Sequence, residues 1–510
     1  MATSATTNRF AHDAPAWTLP ASRWDTIFAW TVLLIAALVW RTSFFGNPDF
    51  HVDEEFYALV ADRMWHGALP YVDIWDRKPI GLFLIYAAVR PFSGESLIGV
   101  QIFALFCAWA TAGTIWTMAR RYVAPLLALF PAILYLFWLG VFGGFNAQSP
   151  VFYNLPMALA ALLCLRAGDR GDRARIVRLG AGAMALVGIA IQIKYTAVFE
   201  GLFLGLWLIW LHLRAHRPAA AALGPAALWC GLALGPTLAV AAVYAMLGHW
   251  AAFADANFTS IFLRARLDED YLFNLQAFIL FAGLPLFIVS LVSLVGHLFL
   301  ERPRHRDCAF LVGWFVAAMC GFTAIGNFYD HYALPLLPPL LVIAARIFGS
   351  RLSATALFIV LAGWAMKWWI PNPAAATVRS RATITRLADE AKPYLAHGPM
   401  FVWDGPSILY VATGAAPPTR FAYPDHLSNL VEKDALGIDT GAEMRRILAL
   451  RPAVIFSSSR KIIPDYNPVT SRMIQSALAR DYVEIDRQPE GWRYRDYILY
   501  VRRDLPKQHP

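Results

Sequence analysis

Apolar stretches of about twenty residues recur between residues 25 and 370 of this chain. As helices rising about 1.5 Å per residue, they are long enough to cross the roughly 30 Å hydrocarbon core of a bilayer. Composition agrees. The chain is 58% hydrophobic and 15% charged, with mean hydropathy +0.48, whereas a soluble domain carries about 25% charged residues. The expected fold is an all-α polytopic membrane domain of about 11 to 13 transmembrane helices, followed by a small C-terminal α/β domain outside the cytoplasm.

Loop charge orients it. Arg120 and Arg121, the group Arg166, Arg170, Arg173, Arg175 and Arg178, the pair Arg214 and Arg217, and the group Arg302, Arg304 and Arg306 make four cationic loops. Arg and Lys accumulate in cytoplasmic loops, so all four are expected inside. Eleven spans then fall near 25–45, 97–119, 123–142, 149–166, 179–195, 199–213, 220–247, 273–300, 308–326, 332–348 and 353–371. An odd number puts the C-terminal region opposite the N-terminus. Residues 79–92 are apolar but reach only about 21 Å. They are read as a half-buried or re-entrant helix, and a twelve-span arrangement stays open. The organisation is a cytoplasmic tail over 1–24 without a cleavable signal pattern, a membrane domain over 25–373 with an external loop at 46–78, and an α/β domain over 374–510. In the last, residues 400–403, 453–456 and 497–501 read as strands, and 379–395, 441–450 and 468–480 as helices.

The net charge of +9 is explained by these short loops, and no nucleic-acid partner is expected. Cys107, Cys164, Cys230, Cys308 and Cys320 all lie in apolar segments, which is neither a disulfide framework nor a metal-ligand spacing.

The external side collects the unusual polar groups. The first loop carries His51-Val-Asp-Glu-Glu-Phe-Tyr57 and then Trp75-Asp-Arg-Lys-Pro79. Ionisable groups at the mouth of a membrane span are costly there and usually mark a pathway or a reaction site. Carboxylates followed by cations suit a site that takes a proton from one partner and holds a phosphate on the other. A phosphodiester leaving as a monoester needs a cation for its growing charge rather than a protonating acid. Lys78 and Arg77 at the loop's end, Lys194 in an apolar run, and Arg264 and Arg266 in the loop 248–271 are the candidates. An attacking hydroxyl needs one base; Asp53 is the first choice and Glu54 the second. The paired carboxylates of glycosidases are not required.

Each residue has a plainer reading. Asp53 and Glu54 could cap a helix. Lys78 could snorkel to the interface, and Lys194 could anchor a span end. His331 could be an interfacial packing residue, and Arg264 and Arg266 could pair with Asp268 and Asp270 on a solvated loop.

The run Asp53-Glu54-x-x-Tyr57, Ala61, Gly67, Pro70-Tyr71 and Asp76-Arg-Lys-Pro79 resembles the first external loop of GT-C type membrane glycosyltransferases. These include protein O-mannosyltransferases, the aminoarabinose transferase of lipid A and bacterial lipopolysaccharide-modifying enzymes. Gly188 with Lys194, His331-Tyr-Ala-Leu-Pro-Leu-Leu-Pro-Pro339, and Phe401-Val-Trp-Asp404 with Leu409-Tyr410, Gly414 and Thr419-Arg420 extend the resemblance over nearly the whole chain. The resemblance implies a polyprenyl-phosphate-linked sugar as donor, Asp53 as the catalytic acidic residue and Lys78 on the lipid phosphate. Tyr57, Arg77, Lys194, Arg264, Arg266 and His331 complete the expected substrate-binding set. The sequence departs from the family at the span beginning near Gln148. Many members carry a second acid there, where this chain has Asn146, Gln148 and Asn154. No cofactor is expected, and a divalent metal is not indicated.

The expected activity is transfer of one sugar to a hydroxyl of an envelope glycolipid, another glycan or a protein, by a multi-pass inner-membrane protein whose site and C-terminal domain are periplasmic. The alternative is a flippase or transporter of a lipid-linked sugar, which would handle the same headgroup without chemistry.

Overall fold

The structure is a computed structural model describing residues 22–169, 172–215, 218–300, 305–461, 463, 465–491 and 495–506. The tail up to residue 21 and Arg170, Arg217, Arg302 and Arg304 of the basic loops lie outside the described residues.

The chain enters at α1 (Arg23–Arg41), whose start is fixed by a capping box between Ser22 and Asp25. Next comes α2 (Val52–Trp65), then α3 (Ile80–Ser93), which starts after Pro79 and stops at Gly94. The bundle continues through α4 (Ile98–Ala119), α5 (Leu129–Val141), α6 (Ser149–Gly168), α7 (Arg173–Ile191), α8 (Ala197–Ala215) and α9 (Leu223–Met246). It closes with the short α10 (Trp250–Ala254), then α11 (Glu269–Leu300), α12 (His305–Thr323), α13 (Leu337–Ala344) and α14 (Arg351–Met366). Among the described residues nine helical segments are long and apolar enough to cross a membrane, and they match nine of the eleven expected spans. The other two fall on the shorter helices α5 and α14, and the segment expected over 79–92 forms α3. Helix α5 is shorter than its apolar run because Pro125 lies in the turn before it. At the other end Gly143 takes a positive φ of 70°, which an ordinary side chain resists. The protein is a multi-pass membrane protein with a mostly helical core.

The character changes at Pro373. Helix α15 (Pro373–Ala391) is amphipathic, and after it come β1 (Met400–Val402), α16 (Ile408–Thr413), α17 (Pro424–Ser428), α18 (Thr440–Ala449), β2 (Val454–Ser458), α19 (Pro468–Asp481), β3 (Tyr482–Pro489) and β4 (Asp496–Arg502). The sheet order is β1-β2-β4-β3, with β1 and β2 parallel and the other two pairs antiparallel. Strand β3 was not expected from the sequence. It is an edge strand with a register shift between Glu484 and Asp486, so its apolar alternation is broken and its residues are largely polar.

This small domain is sewn to the loops of the bundle. Trp75 N–H donates to the Arg420 carbonyl at 2.8 Å, and Ala265 N–H donates to the Val431 carbonyl at 3.1 Å. Arg381 reaches the Gly46 carbonyl at 2.7 Å, and Thr377 reaches that of Ser43 at 2.9 Å. The three walls so assembled, the first loop, the 248–271 loop and the segment 420–432, surround one cavity.

Candidate active site

Helix α2 begins at the cavity. Its N-cap is His51, whose Nδ1 accepts from the Asp53 N–H at 3.2 Å. Capping is therefore supplied by the imidazole, and the Asp53 carboxylate is turned to other partners. Successive helical residues rotate by about 100°, so Asp53, Glu54 and Glu55 face three directions. Asp53 lines a cavity of about 1040 Å³. Its Oδ1 accepts from the Tyr423 hydroxyl at 3.0 Å, and its Oδ2 lies 3.8 Å from Nε2 of His331. Burial acts to raise Asp53, but Lys78, His51, His331 and the Tyr423 hydroxyl outweigh it and hold the carboxyl well below the usual range.

Glu54 is buried behind this wall and does not line the cavity. Burial pushes it up to about 8, against the Ala147 backbone and the Arg41 guanidinium. Tyr57 is likewise buried outside the cavity; its ring lies 5.7 Å from Lys78 Nζ, and its hydroxyl has no hydrogen-bond partner among the described residues.

Lys78, Lys194 and His331 join Asp53 in the cavity wall. Among the described residues neither lysine makes an ion pair. Burial acts to lower Lys78, but Asp53 and Asp76 raise it overall, so its ammonium stays charged. Lys194 is held in the turn between α7 and α8, with Nζ 3.8 Å from the Tyr332 ring centre. Burial and the nearby Lys78 push it well below the usual range, Asp53 opposing. Two lysines thus crowd one partly apolar chamber, and a bound anion would favour the charged form of both. The imidazole of His331 is bracketed by acids, with Nδ1 3.2 Å from Asp330 Oδ1 and Nε2 toward Asp53.

The two remaining cations of the cavity are already engaged. Arg77 grips Glu432 in a fork at 2.6 and 3.1 Å, and Nε of Arg264 lies 2.7 Å from the same carboxylate. Glu432 is buried and held well below the usual range: burial opposes, but Arg264 and Arg77 prevail. Arg264 therefore lines the cavity as expected, and so does Arg77, but both are tethered to the C-terminal domain. Pairing of Arg264 with the loop acids Asp268 and Asp270 is not what forms. Arg266 is exposed and outside the cavity.

Sequence reasoning missed the contribution of the C-terminal domain. Tyr423, Asp425, His426 and Glu432 all line the cavity, as does Asp330 of the bundle. Burial, then Asp404 and Glu432, push Asp425 up to about 7. The amides at the position where the resembling family carries a second acid are elsewhere. Asn146 and Gln148 are buried outside the cavity, and Asn154 donates to Tyr135 and the Leu334 carbonyl. Among the described residues no group of three or more His, Cys, Asp or Glu is arranged to hold a metal ion.

The remaining walls are apolar, including Phe199, Phe258, Ile261, Phe262 and Leu275. The arrangement offers one ionised carboxylate, two lysines without a carboxylate partner among the described residues, and an apolar flank.

No protein-family model matches the sequence, and no curated protein matches it. Solved structures do. ArnT from Cupriavidus metallidurans bound to undecaprenyl phosphate superposes with TM-score 0.60 at 13% identity, over 94% of this chain and 98% of that one. The oligosaccharyltransferase of Archaeoglobus fulgidus in its apo form gives 0.51 at 10% identity, over 86% of this chain and 70% of that one. The Archaeoglobus fulgidus oligosaccharyltransferase AglB in complex with an inhibitory peptide and a dolichol phosphate gives 0.52 at 12% identity, with the same coverage. At these identities the likeness is one of architecture, and the architecture of this chain is the GT-C type fold.

Proposed function

We propose that this protein is a membrane glycosyltransferase that moves one monosaccharide from a polyprenyl phosphate to a hydroxyl of an envelope glycolipid, glycan or protein. The observation that carries the reading is the cavity itself. An ionised Asp53 faces Lys78 and Lys194, and an apolar flank of the right character for a prenyl chain adjoins them. Similar folds with undecaprenyl phosphate or dolichol phosphate bound support the same donor class.

In the proposed reaction Asp53 takes the proton of the acceptor hydroxyl as its oxygen attacks the anomeric carbon. The bond from that carbon to the phosphate oxygen breaks, and the electron pair leaves on polyprenyl phosphate. Lys78, with Lys194 beside it, neutralises the charge that grows on the leaving phosphate. Arg264 joins them from its tether on Glu432. His331 stands beside Asp53, with Nε2 3.8 Å from Oδ2, and helps to orient the carboxylate. One displacement inverts the anomeric configuration.

The basic loops favour an orientation with this site and the C-terminal domain outside the cytoplasm, and the proposal takes that side to be the periplasm of an inner membrane. Reporter fusions after Arg304 and after Pro373 should report opposite sides; both on one side would remove this orientation.

Mass spectrometry of envelope glycolipids, glycans and proteins from cells with and without the gene tests the activity. A transferase leaves free polyprenyl phosphate and an acceptor heavier by one sugar. An intact donor moved to the other leaflet, with no modified acceptor, would instead establish a flippase.

A further inference from the structure

The base of the proposed site is held by a residue of the other domain. Asp53 begins the first external helix, whereas Tyr423 lies 370 residues later, just before α17, and its hydroxyl donates to Asp53 Oδ1 at 3.0 Å. The Tyr423 ring is fixed on two sides, 5.2 Å from the Phe56 ring and 5.1 Å from that of His426. The segment that carries it is fastened at both ends. The Arg420 carbonyl takes the Trp75 N–H, the Val431 carbonyl takes the Ala265 N–H, and Glu432 clamps Arg77 and Arg264. A hydroxyl so placed has little freedom to leave its carboxylate.

We propose that Tyr423 is a positioning residue for Asp53: it fixes one carboxylate oxygen so that the other is aimed at the reacting hydroxyl, and it makes the base dependent on the docked C-terminal domain. The inference rests on the reading of Asp53 as the base. A carboxylate on a short side chain can rotate about its terminal torsion, and that torsion is broad. One fixed donor on Oδ1 narrows it, leaving Oδ2 toward His331 and the open cavity. Lys78, His51 and His331 favour the charged form alongside Tyr423, while Asp76, Glu54 and Asp425 oppose it from neighbouring elements; Tyr57 and Lys194 also feel its charge. Removing the Tyr423 hydroxyl therefore frees the orientation of Asp53 without neutralising it, because the cations remain.

The test uses full-length protein in vesicles and the isosteric change Tyr423→Phe. At neutral pH, the infrared difference between wild type and Asp53→Asn isolates the carboxylate band of Asp53. The expected result is a shifted band in Tyr423→Phe, with no substrate present. With a set of undecaprenyl-phosphate monosaccharides as donors, turnover should fall about tenfold, the scale of a hydrogen bond to a charged group. Affinity for undecaprenyl phosphate should stay unchanged, since Tyr423 is proposed to act on the base and not on the phosphate. In the Asp53→Asn background the same change should cost no more than about twofold, because its effect passes through Asp53. An unmoved band, full turnover, or an equal loss in both backgrounds overturns the proposal. Wild type that releases no undecaprenyl phosphate from any donor contradicts the transferase reading instead. The infrared band then still decides whether Tyr423 sets Asp53.

Discussion

Asp53 and Glu55 stand two residues apart on one helical turn and face opposite surroundings. Asp53 meets Lys78, His51, His331 and a tyrosine hydroxyl, and stays ionised. Glu55 meets Asp49 and, across the domain boundary, Glu490 and Arg495. Burial and then Asp49 push it well above the usual range. Asp49 itself, with Tyr497 donating to its Oδ1 at 2.8 Å, is pushed up to about 7 by burial and by Glu490. Around the single guanidinium of Arg495, Glu490 is bound at 2.6 Å and Asp404 at 3.4 Å. Asp404 also accepts from Ser458 at 2.7 Å and from Tyr466. The same side-chain chemistry thus gives a charged group where cations outnumber acids and a proton-holding group where acids outnumber cations. The first suits catalysis. The second suits a contact between domains, and its strength depends on pH.

The largest expected effect is at Asp53. Asp53→Asn keeps the shape and removes the basicity, so turnover should fall by about 10²–10⁴ while undecaprenyl phosphate still binds. Next is Lys78. Lys78→Ala should lower donor kcat/KM by roughly ten- to a hundredfold, the scale of a lost charge-assisted hydrogen bond. Lys78→Arg should restore part of it. Steady-state kinetics with donor and acceptor varied separately checks the assignment, since acceptor KM should barely move.

The acid cluster should respond to pH rather than to substrate. A carboxyl raised in the folded state binds a proton there that the unfolded chain has already released. Stability from Asp49 and Glu55 is therefore full at low pH and is lost as pH climbs from about 4 toward 7, where Asp49 releases its proton. Limited proteolysis between the domains should quicken over that interval, and Asp49→Asn should flatten the response. The smallest effect is expected at Glu54. It holds its proton up to about 8 and lies outside the cavity, so Glu54→Gln should leave turnover within about twofold.

Much of this contrast was legible in the sequence, and part of it was not. The apolar runs gave the bundle because span length is a local property. Asp53, Lys78, Lys194 and His331 stood out because charge beside a membrane span is costly wherever the chain goes next. Strands β1, β2 and β4 announced themselves as short apolar runs. Tyr423, Asp425 and Glu432 gave no such signal. Each is an ordinary residue of a polar domain, and its importance comes from contacts across hundreds of residues. For the same reason the tethering of Arg77 and Arg264 to Glu432 could not be read from the sequence. Which of two neighbouring acids faces the cavity also depends on where α2 begins. His51, a less usual N-cap than Ser, Thr, Asp or Asn, hid that start.

One measurement bears most directly on the central claim that an ionised Asp53 performs sugar transfer in this cavity. Purified wild type, Asp53→Asn and Glu54→Gln are incubated in vesicles with undecaprenyl-phosphate monosaccharides and an envelope extract as acceptor, and mass spectrometry follows free undecaprenyl phosphate. The account requires release by wild type and Glu54→Gln, and a loss of about 10²–10⁴ in Asp53→Asn that still binds undecaprenyl phosphate. Normal release by Asp53→Asn, or a loss found in Glu54→Gln instead, would contradict it.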